Sequence, residues 1–145
     1  MVKWRDAEMS LDYPPLDDGN KVFLQAIHRA TEMVIKKHDL SGMSAMFDTA
    51  YGYARNHFPL EEDLMERIDY PGLKDHRSAH ELFIKNIAGF RLAYNRAETQ
   101  VKKLEMARKA MAYLSLWFPG HLLKVDKPIK PYFVRLRNKP PRMNY

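Results

Sequence analysis

The stretch HFPLEEDLMERIDYPGLKDHRSAH, residues 57–80, decides how this chain is read. Its first half closes one helical pattern and its second half opens another, with Tyr70-Pro71-Gly72 as the stop and turn between them. His57 and Glu61 are four apart, and so are His76 and His80, so each pair projects from one face of its helix on adjacent turns. Both pairs fall on the apolar stripe of their helix. Burying an unpaired ionisable group is costly, so residues of this kind at core depth require partners.

Working outward, the pattern before the turn runs from Met43 to Ile68 with the stripe Met46, Phe47, Ala50, Ala54, Leu64 and Ile68. The pattern after it runs from Lys74 to Arg96 and buries Phe83, Ile87, Phe90 and Tyr94. A first helix, capped by Asp17 or Asp18, continues to Lys37 on the stripe Phe23, Ile27, Ala30 and Val34, and Asn20 lies on the same face. Ser41 and Gly42 supply the turn that follows. A last helix starts loosely between Glu98 and Val101 and buries Leu104, Ala107, Met111, Leu114 and Phe118. His121 lies on that line, and Pro128 and Pro131 end the helix. No alternating strand pattern competes. Four amphipathic helices with short connections predict an all-α, up-down-up-down four-helix bundle over residues 1–133, with an irregular N-terminal segment and a basic tail over 134–145.

Composition narrows the function. At 145 residues the chain is one domain with enough core to fold unaided. With no Cys, disulfides, thiol catalysis, iron–sulfur clusters and thiolate zinc sites are excluded. No apolar run approaches the ~18 residues of a membrane span, and the first ten residues are too polar for a signal peptide, so a soluble, cytoplasmic, monomeric protein is expected. The formal charge of +6 invites a nucleic-acid reading. Yet Lys127, Lys130, Arg135, Arg137, Lys139 and Arg142 account for all of it, and the rest of the chain is neutral. The expectation is therefore no specific nucleic-acid partner and no membrane partner.

The titratable residues carry more information. His121 and Asp126 are five apart, ~140° out of phase on an ideal helix, and share a face only where the helix loosens or ends. With the two pairs above they place four imidazoles and two carboxylates toward the bundle centre. Imidazole suits iron, zinc, copper or nickel, and carboxylates bridge cations well. Six ligands are too many for one tetrahedral zinc, so two metals fit most naturally. The Glu-x-x-His motif of ferritin-like sites and the His-Glu-x-x-His of zinc proteases are both absent from the sequence. The competing reading is a set of buried, hydrogen-bonded polar residues without metal. Six such residues at matched depth on three stripes weigh against it. Pro59 and Pro119 sit beside candidate ligands and should kink their helices. Trp117, Tyr51 and Tyr53 are candidates for lining the pocket.

These motifs together resemble the hemerythrin family, specifically the single-domain bacterial hemerythrins. The resemblance rests on His57-Phe58-x-x-Glu61-Glu62, on Tyr70-Pro71-Gly72-Leu73-x-x-His76-x-x-x-His80-x-x-Phe83, on Trp117-Phe118-x-x-His121-x-x-x-x-Asp126, and on Trp4 near the start. It implies a non-haem di-iron centre, with an oxo or hydroxo bridge, that binds molecular oxygen for storage, delivery or sensing. It further implies His76, His80 and His121 on one iron, His57 on the other, and Glu61 and Asp126 bridging.

The chain departs from the family at one place. Hemerythrins usually carry a further His in a pattern like Asp-x-Gln-His, and the aligned residues here are Asp17-Asp18-Gly19-Asn20. Asn20 thus stands where an imidazole of the oxygen-binding iron is expected, either as a weak amide ligand or as a pocket residue. The position so freed supports an alternative function, a di-iron oxidase, peroxidase or nitric-oxide-handling enzyme.

Overall fold

In the computed structural model, which describes residues 3–137, all regular structure among those residues is helical. A short helix α1 (Asp6–Met9) precedes α2 (Pro14–Thr31), α3 (Met43–Arg67), α4 (Leu73–Arg96) and α5 (Gln100–His121). A π-helical segment Glu32–Lys36 extends α2, and a second one, Leu122–Asp126, a 3-10 turn Lys127–Ile129 and a last helix α6 (Lys130–Arg137) end the described residues. Helix α2 packs on α3 and α5, α3 packs on α4, and α4 on α5, so the four long helices close a ring of neighbours joined by short loops. The all-α bundle expected from periodicity is the fold.

Its main core joins Phe23 and Ile27 of α2, Phe47 and Phe58 of α3, Phe83 and Ile87 of α4, and Met111, Leu114 and Phe118 of α5. Two boundaries differ from expectation, each for a local reason, while the α4–α5 junction falls inside the expected window of residues 98–101. Helix α2 begins at Pro14, because proline at the first helical positions gives up an N–H that has no partner there. Asp17 therefore lies inside the first turn and does not cap it. Its carboxylate instead accepts from the Leu11 backbone N–H at 2.8 Å and the Ser10 hydroxyl at 2.6 Å. Those bonds pin the N-terminal segment, which apart from α1 has no regular structure, as expected. At the α4–α5 junction Thr99 is the cap, its hydroxyl accepting from the Lys102 N–H at 3.1 Å.

The second difference is at the C-terminal end. Pro128 and Pro131 do not stop the chain's helical course, since each falls in the opening turn of a new element. Helix α6 runs across the expected boundary at residue 133, and residues 138–145 of the expected tail lie outside the described residues. Phe133 is fully buried, Tyr132 packs edge-on against Tyr70 at 5.3 Å, and Lys130 pairs with Asp12 at 3.4 Å. Leu11, Leu16, Leu64, Met65, Ile129 and Phe133 make a second apolar cluster. Leu16 lies one turn before Asn20, Met65 one turn past Glu61, and Ile129 just past Asp126. The cluster therefore closes the bundle at the end where the polar residues gather. Among the described residues no helix is long and apolar enough to cross a membrane.

Candidate metal centre

The polar residues that the sequence places on apolar stripes are buried. Asn20 and Glu61 are 0% exposed, Asp126 1%, His76 and His80 2%, His121 5% and His57 6%. Glu61, His76, His80, His121 and Asp126 each bring a potential ligand atom within 4.8 Å of all the others. His57 stands outside this group of five and reaches it through the second oxygen of Glu61.

Three helices and one irregularity build the arrangement. Helix α3 contributes His57 and Glu61 on adjacent turns, and α4 contributes His76 and His80 in the same way. His121 ends α5, and Asp126 follows across the π segment. A π-helix bonds i to i+5, so two residues five apart come to one face only if the chain unwinds this way. The His121 Nε2 to Asp126 Oδ1 distance is accordingly 2.9 Å. Pro119 removes one helical hydrogen bond from the turn before it. At Pro59, α3 stays helical through the proline.

The two carboxylates span the imidazoles. Glu61 Oε1 touches His76 Nε2 and lies 3.5 Å from His80 Nε2, whereas Glu61 Oε2 faces His57 Nε2 at 3.2 Å. Asp126 Oδ1 lies 3.0 Å from His76 Nε2. These contacts are short but not aligned as hydrogen bonds. Both oxygens of Glu61 and of Asp126, and the Nε2 atoms of His57, His76, His80 and His121, are buried and unpartnered. So many orphaned acceptors and imidazole nitrogens in one place would be costly unless satisfied together. The donor set of imidazole and carboxylate fits a divalent cation.

The electrostatics agree. Burial alone would raise the Glu61 carboxyl, yet His57, His76 and His80 beside it hold it well below the usual carboxylate range. Burial alone would lower the His76 imidazole, yet Asp126 and Glu61 push it up to about 9. Without a metal, a proton on His76 takes the cation's place.

Three of the four imidazoles stack on an aromatic ring, and His76 instead meets His80 and His121 edge-on. His80 lies parallel to Phe58 with centroids 3.7 Å apart, His121 stacks on Trp117 at 4.5 Å, and His57 stacks on Tyr53 at 4.5 Å. Phe58 also meets Phe83 and Trp117, which makes a continuous apolar wall. Of the three aromatic candidates, Trp117 and Tyr53 line the site, whereas Tyr51 lies under Arg91. Phe58 enters the sequence reading only as part of the His57-Phe58 motif and not as a residue that lines the site. Its i+1 position beside His57 was the available signal, but its partner His80 sits on another helix.

Asn20 is next to the site but is already engaged. Its Oδ1 accepts from the Tyr53 hydroxyl at 2.7 Å, and its amide nitrogen is buried without a partner. Burial, and then the charges of Asp126 and Glu61, push the Tyr53 phenol well above its ordinary range, so it stays a donor. His28 and His38 are not in the cluster: His28 borders a cavity between α2 and α5, and His38 is exposed against Arg108.

The model of the hemerythrin HHE cation binding domain matches residues 13–133. The chain belongs to the hemerythrin family. This hemerythrin domain is similar to the bacteriohemerythrin of Stenotrophomonas maltophilia (strain R551-3), with 29% identity over 118 residues, 77% of this chain and 73% of the relative. It is similar to that of Pseudomonas aeruginosa (strain LESB58), 26% identical over 77% of this chain and 72% of the relative. It also resembles that of Clostridium acetobutylicum, 23% identical over 88% of this chain and 97% of the relative. No solved structure matches the chain significantly. The family binds non-haem iron, and the buried His, Glu and Asp cluster of this hemerythrin domain fits a metal site.

Proposed function

We propose that this chain holds two non-haem iron ions and binds molecular oxygen, or a ligand of similar size, at one of them. His76, His80 and His121 serve one ion, His57 serves the other, and Glu61 and Asp126 bridge. The observation that carries this reading is the orientation of Glu61. One of its oxygens faces His76 and His80 while the other faces His57, so one carboxylate addresses two separate imidazole sets. A pair of ferrous ions held by these residues would supply the two electrons needed to bind and reduce an oxygen molecule.

The protein's own part is positioning and exclusion. Phe58, Trp117 and Tyr53 fix three of the imidazole planes by stacking, which holds each of those Nε2 atoms on its target without a hydrogen-bonded partner. The apolar cluster of Leu16, Met65, Ile129 and Phe133 keeps water from the end of the bundle. His76 Nε2 holds the proton that ion binding must release. Asn20 supports the second reading, an oxidase, peroxidase or nitric-oxide-handling enzyme. Because Tyr53 occupies its carbonyl oxygen, the His57 side has fewer protein ligands than the His76 side.

Metal analysis of the purified chain joined to optical spectra tests the proposal. Two irons per chain and an absorbance that appears with oxygen and disappears on its removal support carriage. Rapid oxidation with sustained consumption of a reductant supports the enzyme. A chain that takes up one ion only refutes the di-iron reading, and an iron-loaded spectrum that ignores oxygen refutes oxygen binding.

A further inference from the structure

We propose that small molecules reach the His57 side of this centre through the groove between α2 and α3, and that Gly19 and Gly52 keep the groove open. The inference rests on the proposed ligand-binding role of the centre, and three observations carry it.

First, the other approaches are covered. His80 lies flat under Phe58, His121 under Trp117, and the bundle end is filled by Leu16, Met65, Ile129 and Phe133. Second, a groove of about 480 Å³ between α2 and α3 has Tyr53 and His57 in its wall. The pocket of about 200 Å³ near Met33 and Met46, and the one of about 130 Å³ between Leu24 and Leu114, contain none of the candidate ligands. The groove is far larger than the ~30 Å³ share of a water molecule, so it admits diatomic and triatomic ligands without rearrangement.

Third, the two glycines act at defined points. A Cβ at Gly19 would lie 2.9 Å from His57 Nδ1, so any side chain there would press on the outward edge of the imidazole. A Cβ at Gly52 meets nothing within 4 Å, so its absence leaves room in the groove rather than serving packing. Glycine inside a helix is destabilising relative to alanine. Helix α3 carries that cost at Gly52 with no turn, positive φ or close contact to require it. Val22, Phe23 and Leu60 make the walls apolar and Asp18 stands at the rim, a lining that favours uncharged ligands such as dioxygen or nitric oxide over anions.

The test uses Gly52→Trp, which fills the groove, and Gly52→Ala, which makes the same backbone change with little volume. In the iron-loaded reduced chain, stopped-flow association of nitric oxide should slow severalfold in Gly52→Trp and stay near the parent rate in Gly52→Ala. Dissociation should slow in parallel, leaving Kd unchanged, because a blocked path alters both rates and not the site. In the metal-depleted full chain, with helix content checked by circular dichroism, diethyl pyrocarbonate should label His57 faster than His76, His80 or His121. Gly52→Trp should slow that labelling and leave exposed His38 unaffected. Unchanged association in Gly52→Trp, or His57 labelled no faster than the other three, overturns the groove. A parent chain that binds no nitric oxide at all refutes the functional proposal instead, and the labelling then decides the groove by itself.

Discussion

Metal uptake by this site should be a proton exchange, and the structure sets its size. His76 Nε2 touches Glu61 and lies 3.0 Å from Asp126 Oδ1, and these carboxylates push the imidazole up to about 9. At pH 7, two units below that value, about 99% of metal-free chains carry the proton. A cation binding through the same nitrogen must displace it. Apparent affinity should therefore rise about 50-fold between pH 7 and 9 and level off above, about 100-fold over its pH 7 value. Cobalt(II) is a suitable probe: it is air-stable and coloured, and can be titrated against a competing chelator in weakly coordinating buffers, with a pH indicator counting released protons. About one proton per chain should appear at pH 7 and well under one above pH 9.5. A change of less than threefold in cobalt affinity between pH 7 and 9, after correction for the chelator, would refute the assignment of that proton to His76.

The same linkage has a sign for folding. The folded His76 value lies above the ordinary 6.5, so its contribution to metal-free stability is complete below pH 6.5 and is lost as pH rises through about 9. The loss is on the order of 3 kcal/mol. Glu61 works in the opposite direction: its carboxyl is held low, so its contribution is present above the ordinary carboxylate value and fades in acid. Thermal unfolding of the metal-free chain should therefore peak between about pH 5 and 6.5, and bound metal should shift the maximum upward.

Further outcomes follow from single contacts. Asn20→His should raise the affinity for the second ion by about tenfold or more, read by titration against a competing chelator, since it replaces an amide held by Tyr53 with an imidazole. Tyr53→Phe leaves both polar atoms of a fully buried Asn20 without partners and should cost about 1–3 kcal/mol in denaturant unfolding. Phe58→Ala removes the ring stacked on His80 and should cost about 3–5 kcal/mol, with bleaching of the iron-loaded spectrum accelerated by water entry. Phe133→Ala should cost a similar amount, about 3–5 kcal/mol, although this residue lies past the four bundle helices. Stability unchanged in Phe133→Ala would show that α6 does not close the bundle end.

What the sequence made legible is what one helix expresses alone. His57 with Glu61, and His76 with His80, announce themselves because both members of each pair obey the period of a single helix and break its apolar rule. The His121–Asp126 pair was legible only as a conditional, since a five-residue spacing works if the helix unwinds, and the π segment is where it does. Hidden from the sequence were the particular contacts that join two elements around the site. The flat stack of Phe58 on His80, the capture of Asn20 by Tyr53, and the groove over His57 each join residues from different helices. The N-terminal segment was the harder case, because its order comes from Asp17 reaching back to Leu11 and Ser10 rather than forward into α2. This matters for the site, since Asp17 precedes Gly19 and Asn20 by less than one turn. The carboxylate that anchors the segment therefore also fixes the register in which α2 presents a bare backbone to His57 and an amide to Tyr53. Loss of that anchor should disturb the His57 side of the centre before the His76 side, whose three imidazoles come from α4 and α5 alone.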